Sequence, residues 1–221
     1  MEETPNTPQS AKTFVLRSRD ILFAAINGAI FGLMLTFVLA NMDVSSFTLP
    51  AIGEITLSPI LSTFIFAIVG MIAVLVGALL SYIKPFFFQL SKFGVVGISN
   101  TAIDFGILNL LIMVTGIYAG VAYSIFKIIS FLGATVNSYL WNKFWSFEDH
   151  SKDDLKEEFL KFITVSGIGI VINVGVASLI NMVGPYGDID PKGWANISAA
   201  IATITVLTWN FLGYKLFVFK K

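Results

Sequence analysis

The chain contains no cysteine, which excludes a disulfide frame, a thiolate metal site and a thiol nucleophile. Histidine is nearly absent too. The single one, His150, stands among charges in an expected loop, where a lone imidazole is solvated rather than catalytic. Charge itself is scarce: 13% of the residues are Asp, Glu, Lys or Arg, against 56% hydrophobic, and the mean hydropathy is +0.82. A soluble domain of 221 residues has no use for so much apolar surface, so the class is integral membrane protein. No stretch resembles a nucleotide-binding loop, which argues against ATP-driven export within this polypeptide. No cofactor and no nucleic-acid partner is expected.

A membrane-crossing helix needs about 20 mostly apolar residues. Six segments qualify: Ile21–Ala40, Ile60–Ile83, Phe93–Val114, Val121–Leu140, Phe159–Val183 and Ile197–Phe217. The N-terminus, MEETPNTPQSAKTF, is polar and reads as a disordered tail rather than a signal peptide. A loop, NMDVSSFTLPAIGEITLSP, separates the first two helices. In KPFFFQLSK, Pro85 is expected to end the second helix and the phenylalanines to sit at the membrane interface. Ser151 and Asp154 resemble a capping box opening a short, solvated, charged helix before the fifth span. The loop before the sixth span is turn-rich and ends in Trp194, an expected interface anchor. Lys12, Arg17, Arg19, Lys84, Lys92, Lys143, Lys152, Lys156, Lys161, Lys215, Lys220 and Lys221 all fall on one side of this arrangement, opposite Lys192. The positive-inside rule then puts both termini in the cytoplasm.

The stretch from Lys92 to Leu111 places a carboxylate, Asp104, near the middle of a span. Such a charge costs about 2.5–3.5 kcal/mol on insertion scales and is a functional hypothesis by default. The stretch recurs, weakened, from Lys161 to Ile180, with Asn173 opposite Asp104. The next helices also correspond, YLWNKFWSF (Tyr139–Phe147) beside FLGYKLFVF (Phe211–Phe219), which aligns Lys143 with Lys215 and Asn142 with Tyr214. Both copies enter from the same side, so the expected fold is all-α, six transmembrane helices, the last four a parallel repeat of hairpins. Polar stripes run along those helices: Gly97, Asn100, Thr101 and Asp104; Lys127, Ser130, Ala134, Asn137 and Trp141; Ser166, Gly169 and Asn173; Thr208 and Asn210. They are expected to face each other or a wet cavity. Asp104 and Lys127 lie within reach of each other, either as an ion pair locking the hairpin or with Lys127 receiving a phosphate or sugar head. Lys143 and Lys215, at the inner membrane edge, read as snorkelling anchors or as collectors of anionic head groups. Trp141 and Trp145 are belt residues or stack on a sugar. The Gly28–Gly32 spacing allows close helix packing, whereas nothing in the sequence accounts for Asn27 beside it.

Taken together, FGVVGISNTAIDFGILNLL, NSYLWNKFWSF, EFLKFITVSGIGIVINVGV and NFLGYKLFVF resemble the GtrA-like family over about residues 91–220. The Asn137, Asn142, Lys143, Trp145, Phe147 ending is the most specific part. The resemblance implies movement of polyprenyl-phosphate-linked sugars across the cytoplasmic membrane, for polysaccharide biosynthesis or glycosylation at the cell surface. The expected organisation is a tail (1–20), two additional helices (21–90) and a GtrA-like domain (91–221). The expected substrate-binding residues are Asn100, Asp104, Lys127, Asn137, Trp141, Asn142, Lys143, Asn173, Asn210 and Lys215. The partners are the polyprenyl-phosphate sugar and membrane lipid, with homo-oligomerisation left open. Two alternatives stand beside the carrier: a scaffold recruiting a membrane glycosyltransferase, and a small-cation exporter, against which Lys127 near Asp104 weighs. An enzyme is not expected.

Overall fold

A computed structural model of the protein describes residues 16–41, 46–49, 53–56, 58–117, 120–151, 154–185, 187 and 191–219. Six helices dominate: α1 (Ser18–Asn41), α2 (Pro59–Leu80), α3 (Phe86–Thr115), α4 (Gly120–Trp141), α5 (Leu155–Val183) and α6 (Pro191–Gly213). The loop expected between the first two helices instead contains a small antiparallel hairpin, β1 (Ser46–Leu49) and β2 (Gly53–Thr56), so the fold is helical but not purely so. Among the described residues, four helical stretches are long and apolar enough to cross a membrane: Ser18–Ala40, Pro59–Leu80, Phe86–Thr115 and Ile201–Val218. The protein is a multi-pass helical membrane protein.

Local signals set the helix ends. Ser58 caps α2, its hydroxyl accepting from the Leu61 amide at 3.1 Å, with Pro59 in the first turn where its missing N–H costs nothing. Helix α3 ends at Gly116, whose φ of 69° lets its amide return to Ile112 O at 2.7 Å. Pro85 precedes α3 rather than ending α2, which stops at Leu80. Phe88 of the expected interface trio is buried instead. The charged segment before the fifth span is not a separate helix either. It forms the first turns of α5, with Asp154 in place of Ser151 accepting the Glu157 amide at 3.3 Å. Most of the expected tail (residues 1–15) lies outside the described residues, but α1 already begins at Ser18.

Helices α1 and α2 pack backbone to backbone. A Cβ added at Gly28 or Gly32 would run into the carbonyls of Phe66 and Ser62, and one at Gly70 would lie 2.5 Å from Ala24 O. The Ser62 hydroxyl crosses this contact to bond Gly32 O at 2.9 Å. The expected role of the Gly28–Gly32 pair is therefore borne out. Helix α3 packs against both α1 and α2, and then α3 pairs with α4 and α5 with α6. Helices α4 and α6 each finish in a π-helical turn, Asn142–Ser146 and Tyr214–Val218. Between the two hairpins, Phe93, Tyr139, Phe147, Phe162, Phe211, Tyr214 and Phe219 gather into one buried aromatic cluster.

Candidate functional site

Above this aromatic cluster the last four helices line a half-open cavity of about 420 Å³. Each helix contributes one stripe at helical spacing: Phe93, Gly97, Asn100 and Thr101 from α3; Phe131, Thr135 and Ser138 from α4, continued by Asn142; Phe162, Ser166 and Ile170 from α5; Thr203, Leu207 and Asn210 from α6, continued by Tyr214. Glycines leave the space open, since a Cβ at Gly94 or Gly97 would meet no atom within 4 Å. Tyr214 forms the floor. Its ring stacks on Phe162 at 4.4 Å between centroids, and its hydroxyl lies 2.6 Å from Ser166 Oγ.

The walls are mainly apolar, interrupted by a few amides and hydroxyls. Among the described residues lining the cavity none carries a formal charge. Asn142 is 1% exposed and donates to Ser138 O at 2.8 Å and Ser138 Oγ at 3.2 Å. Among the described residues its own Oδ1 has no hydrogen-bond partner, and neither have the Oδ1 atoms of Asn100 and Asn210. A buried acceptor left unmatched costs about 1–3 kcal/mol. Gly169 makes room for one of the three, because a Cβ there would lie 2.7 Å from Asn210 Oδ1.

The expected site residues separate into distinct groups. Asn100, Asn142 and Asn210 line the cavity. Asp104 lies outside the cavity lining and accepts the Ser130 hydroxyl at 2.7 Å, while the side chain of Lys127 lies outside the described residues. The α4 stripe expected to face the cavity, Lys127 to Trp141, is one residue out of phase with the stripe that does, Phe131 to Asn142. Asn137 and Trp141 accordingly are not lining residues. Trp141 packs edge-on against Phe23 and Trp145. Asn173 is partly buried outside the cavity lining. Lys215 is exposed, its ammonium 5.7 Å from the Phe211 ring and 5.9 Å from Phe86.

Lys143 is a correction. It is 1% exposed, 2.5 Å from Glu158 Oε2 and 3.8 Å from Asp149, so it neither snorkels nor meets a head group. Tyr139 donates to the other Glu158 oxygen. Glu158, expected on a solvated face, is a buried counter-ion.

A second buried cluster was not legible in the sequence. Lys92 lies 2.7 Å from Asp20 and 3.1 Å from Glu148, and Trp145 Nε1 donates to Asp20 at 3.1 Å. Asp20 also accepts the Arg17 amide at 3.0 Å, closing the first turn of α1. Arg17 and Arg19 reach Glu148 at 3.6 and 3.4 Å. Burial works against the charged form of Glu148, but the Lys92 hydrogen bond and charge, with Arg17 and Arg19, outweigh it and hold the carboxyl below its usual range. Trp145 is thereby a structural residue of this cluster, not a belt or sugar-stacking residue. The available signal was an acid, Asp20, in the first turn of an otherwise apolar span.

The cavity helices coincide with a region of known kind. The GtrA/DPMS transmembrane domain matches residues 92–219. An uncharacterized membrane protein of Bacillus subtilis (strain 168), YngA, is 33% identical over 138 residues, covering 59% of this chain and 78% of the relative. No solved structure matches the chain. With more than half of its length matched, the chain belongs to the GtrA/DPMS transmembrane-domain family.

Proposed function

We propose that this protein carries a polyprenyl-phosphate-linked sugar across the cytoplasmic membrane, supplying polysaccharide biosynthesis or glycosylation at the cell surface. The observation that carries this reading is the uncharged, hydrogen-bonding cavity among the helices of the family domain. A sugar head entering it exchanges water for amides and hydroxyls, while the isoprenoid tail stays in lipid. Only the head then needs desolvating. The lipid phosphate needs a cation, for which Lys215 at the lysine-rich end and Lys127 are the candidates in this reading. The carrier has six spans with both termini cytoplasmic. Residues 91–221 form the transporting domain as two parallel hairpins, and the π turns 72 positions apart, at Asn142 and Tyr214, support that pairing. Sites at such repeat interfaces are common in transporters.

The test is purified protein in vesicles with a labelled polyprenyl-phosphate sugar in one leaflet. Faster movement than in protein-free vesicles is expected. Equal rates would overturn the carrier reading and leave the scaffold for a membrane glycosyltransferase. Lys127→Met is expected to abolish movement while folded protein remains in the membrane, and loss of the folded protein instead would assign Lys127 to structure.

A further inference from the structure

The two seams between the hairpins share one plan but are finished differently. At the α4–α5 seam Tyr139 packs against Phe162 at 5.5 Å between ring centroids. At the α3–α6 seam Phe211 packs against Phe93 at 5.4 Å. These are corresponding residues of the two copies, so the aromatic frame obeys the repeat. The charges do not. Lys143, Glu158 and Tyr139 lock the α4–α5 seam from within. In the registers that set Lys92 against Lys161 and Lys143 against Lys215, Gln89 stands opposite Glu158 and Phe211 opposite Tyr139. The α3–α6 seam therefore keeps its lysine but lacks the carboxylate and the hydroxyl of the lock. Among the described residues no carboxylate forms an ion pair with Lys215. It is exposed, its ammonium over the rings of Phe86 and Phe211.

One seam thus ends in a buried, neutralised lysine and the other in an open cation. Tyr214, the residue before Lys215, floors the cavity, so the ammonium stands just outside it. Farther along α3, Ile98 is exposed and borders both the cavity and an apolar groove of about 180 Å³ among α1, α2 and α3. A lipid phosphate at Lys215 has the cavity beside it for its head and the Ile98 flank for its chain. Aromatic rings grip an ammonium more weakly than a carboxylate does, and they leave its N–H donors to an anion. We propose that the α3–α6 seam is the lateral entrance of the carrier, where Lys215 receives the phosphate ester of the polyprenyl lipid. The α4–α5 seam, closed by Lys143 and Glu158, stays shut. This entrance rests on the carrier reading.

The experiment rebuilds the absent lock. Gln89→Glu with Phe211→Tyr gives Lys215 the partners that Lys143 has, and Lys215→Met removes the cation. The full chain in lipid nanodiscs is loaded with a glucosyl polyprenyl phosphate, and its retention is measured by native mass spectrometry beside that of phosphatidylglycerol. Both variants are expected to retain the polyprenyl lipid about tenfold less well than the natural chain, with no fall in the unfolding midpoint. Natural retention in Lys215→Met overturns the site, and does so even if the double variant fails to fold. A loss shared equally by phosphatidylglycerol makes Lys215 a general lipid anchor and overturns the entrance. Entry is read in vesicles with a short bifunctional maleimide. Joining Phe86→Cys to Phe211→Cys, where the rings lie 5.1 Å apart, is expected to return movement to the protein-free rate. Joining Tyr139→Cys to Phe159→Cys, also 5.1 Å apart, is expected to spare it. Movement that survives the first cross-link, or is stopped as fully by the second, overturns the entrance. Movement by the natural chain no faster than in protein-free vesicles overturns the carrier, and the retention result then decides the Lys215 site on its own.

Discussion

Lys143 cannot be removed without stranding a carboxylate. Glu158 relies on it and on Tyr139, and all three are buried. Breaking one side of such a pair costs about 3–5 kcal/mol, whereas replacing both sides by apolar residues is often neutral. Lys143→Met is therefore expected to lower the thermal unfolding midpoint in detergent sharply, and Lys143→Met with Glu158→Leu to recover much of it. Equal midpoints for the two variants would show that the pair is not coupled. Glu148 makes a different case, at the rim of the Lys92 cluster. Its folded carboxyl is held below the ordinary value of 4.5. Its contribution is therefore present above that value and lost as pH falls through the lower, folded one. Stability of the natural chain should fall on acidification below about pH 4.5. Glu148→Gln should be less stable at neutral pH and show a shallower fall, measured as the unfolding midpoint across a pH series. Glu148 also sits at φ 50°, a region few residues other than glycine occupy.

At the scale of helices, the sequence was readable where one variable decides. Apolar length gave six helices, each within a few residues of its expected bounds at most ends. Gly28 and Gly32 gave a close contact because only a missing Cβ allows it. The facing of α4 was not readable, because Ser130, Ala134 and Asn137 are as polar or small as Thr135, Ser138 and Asn142, and only packing chooses between adjacent stripes. The counter-ions of Lys92 and Lys143 were hidden for a similar reason. Asp20 and Glu158 are 72 and 15 positions away from them, and nothing local marks a pairing. The glycine contact carries its own test. Gly28→Leu would force α1 away from the Phe66 backbone, and overpacking of this kind costs about 1–3 kcal/mol. A cysteine pair placed across α1 and α2 forms an unambiguous cross-link in a chain with no other cysteine, and its yield is expected to drop in the Gly28→Leu background.

For the whole molecule, the absence of cysteine makes topology directly measurable. Single cysteines at Thr4 and at Gly187, probed in intact cells with a membrane-impermeant maleimide, should be protected and labelled respectively. The reverse pattern, or equal labelling, would overturn the expected orientation. The cavity then has a consequence for energetics. A sugar phosphodiester carries one negative charge, and none of the described lining residues provides a compensating one. Moved without a co-ion, the head group is a current. An inside-negative voltage would drive it outward with about 2.3 kcal/mol per 100 mV, a bias of roughly fiftyfold. A potassium diffusion potential across the vesicles is expected to tilt the distribution of the lipid between leaflets by about that factor, and to tilt it the other way when the gradient is reversed. The membrane potential would then be the motor, with no coupling site needed in the protein.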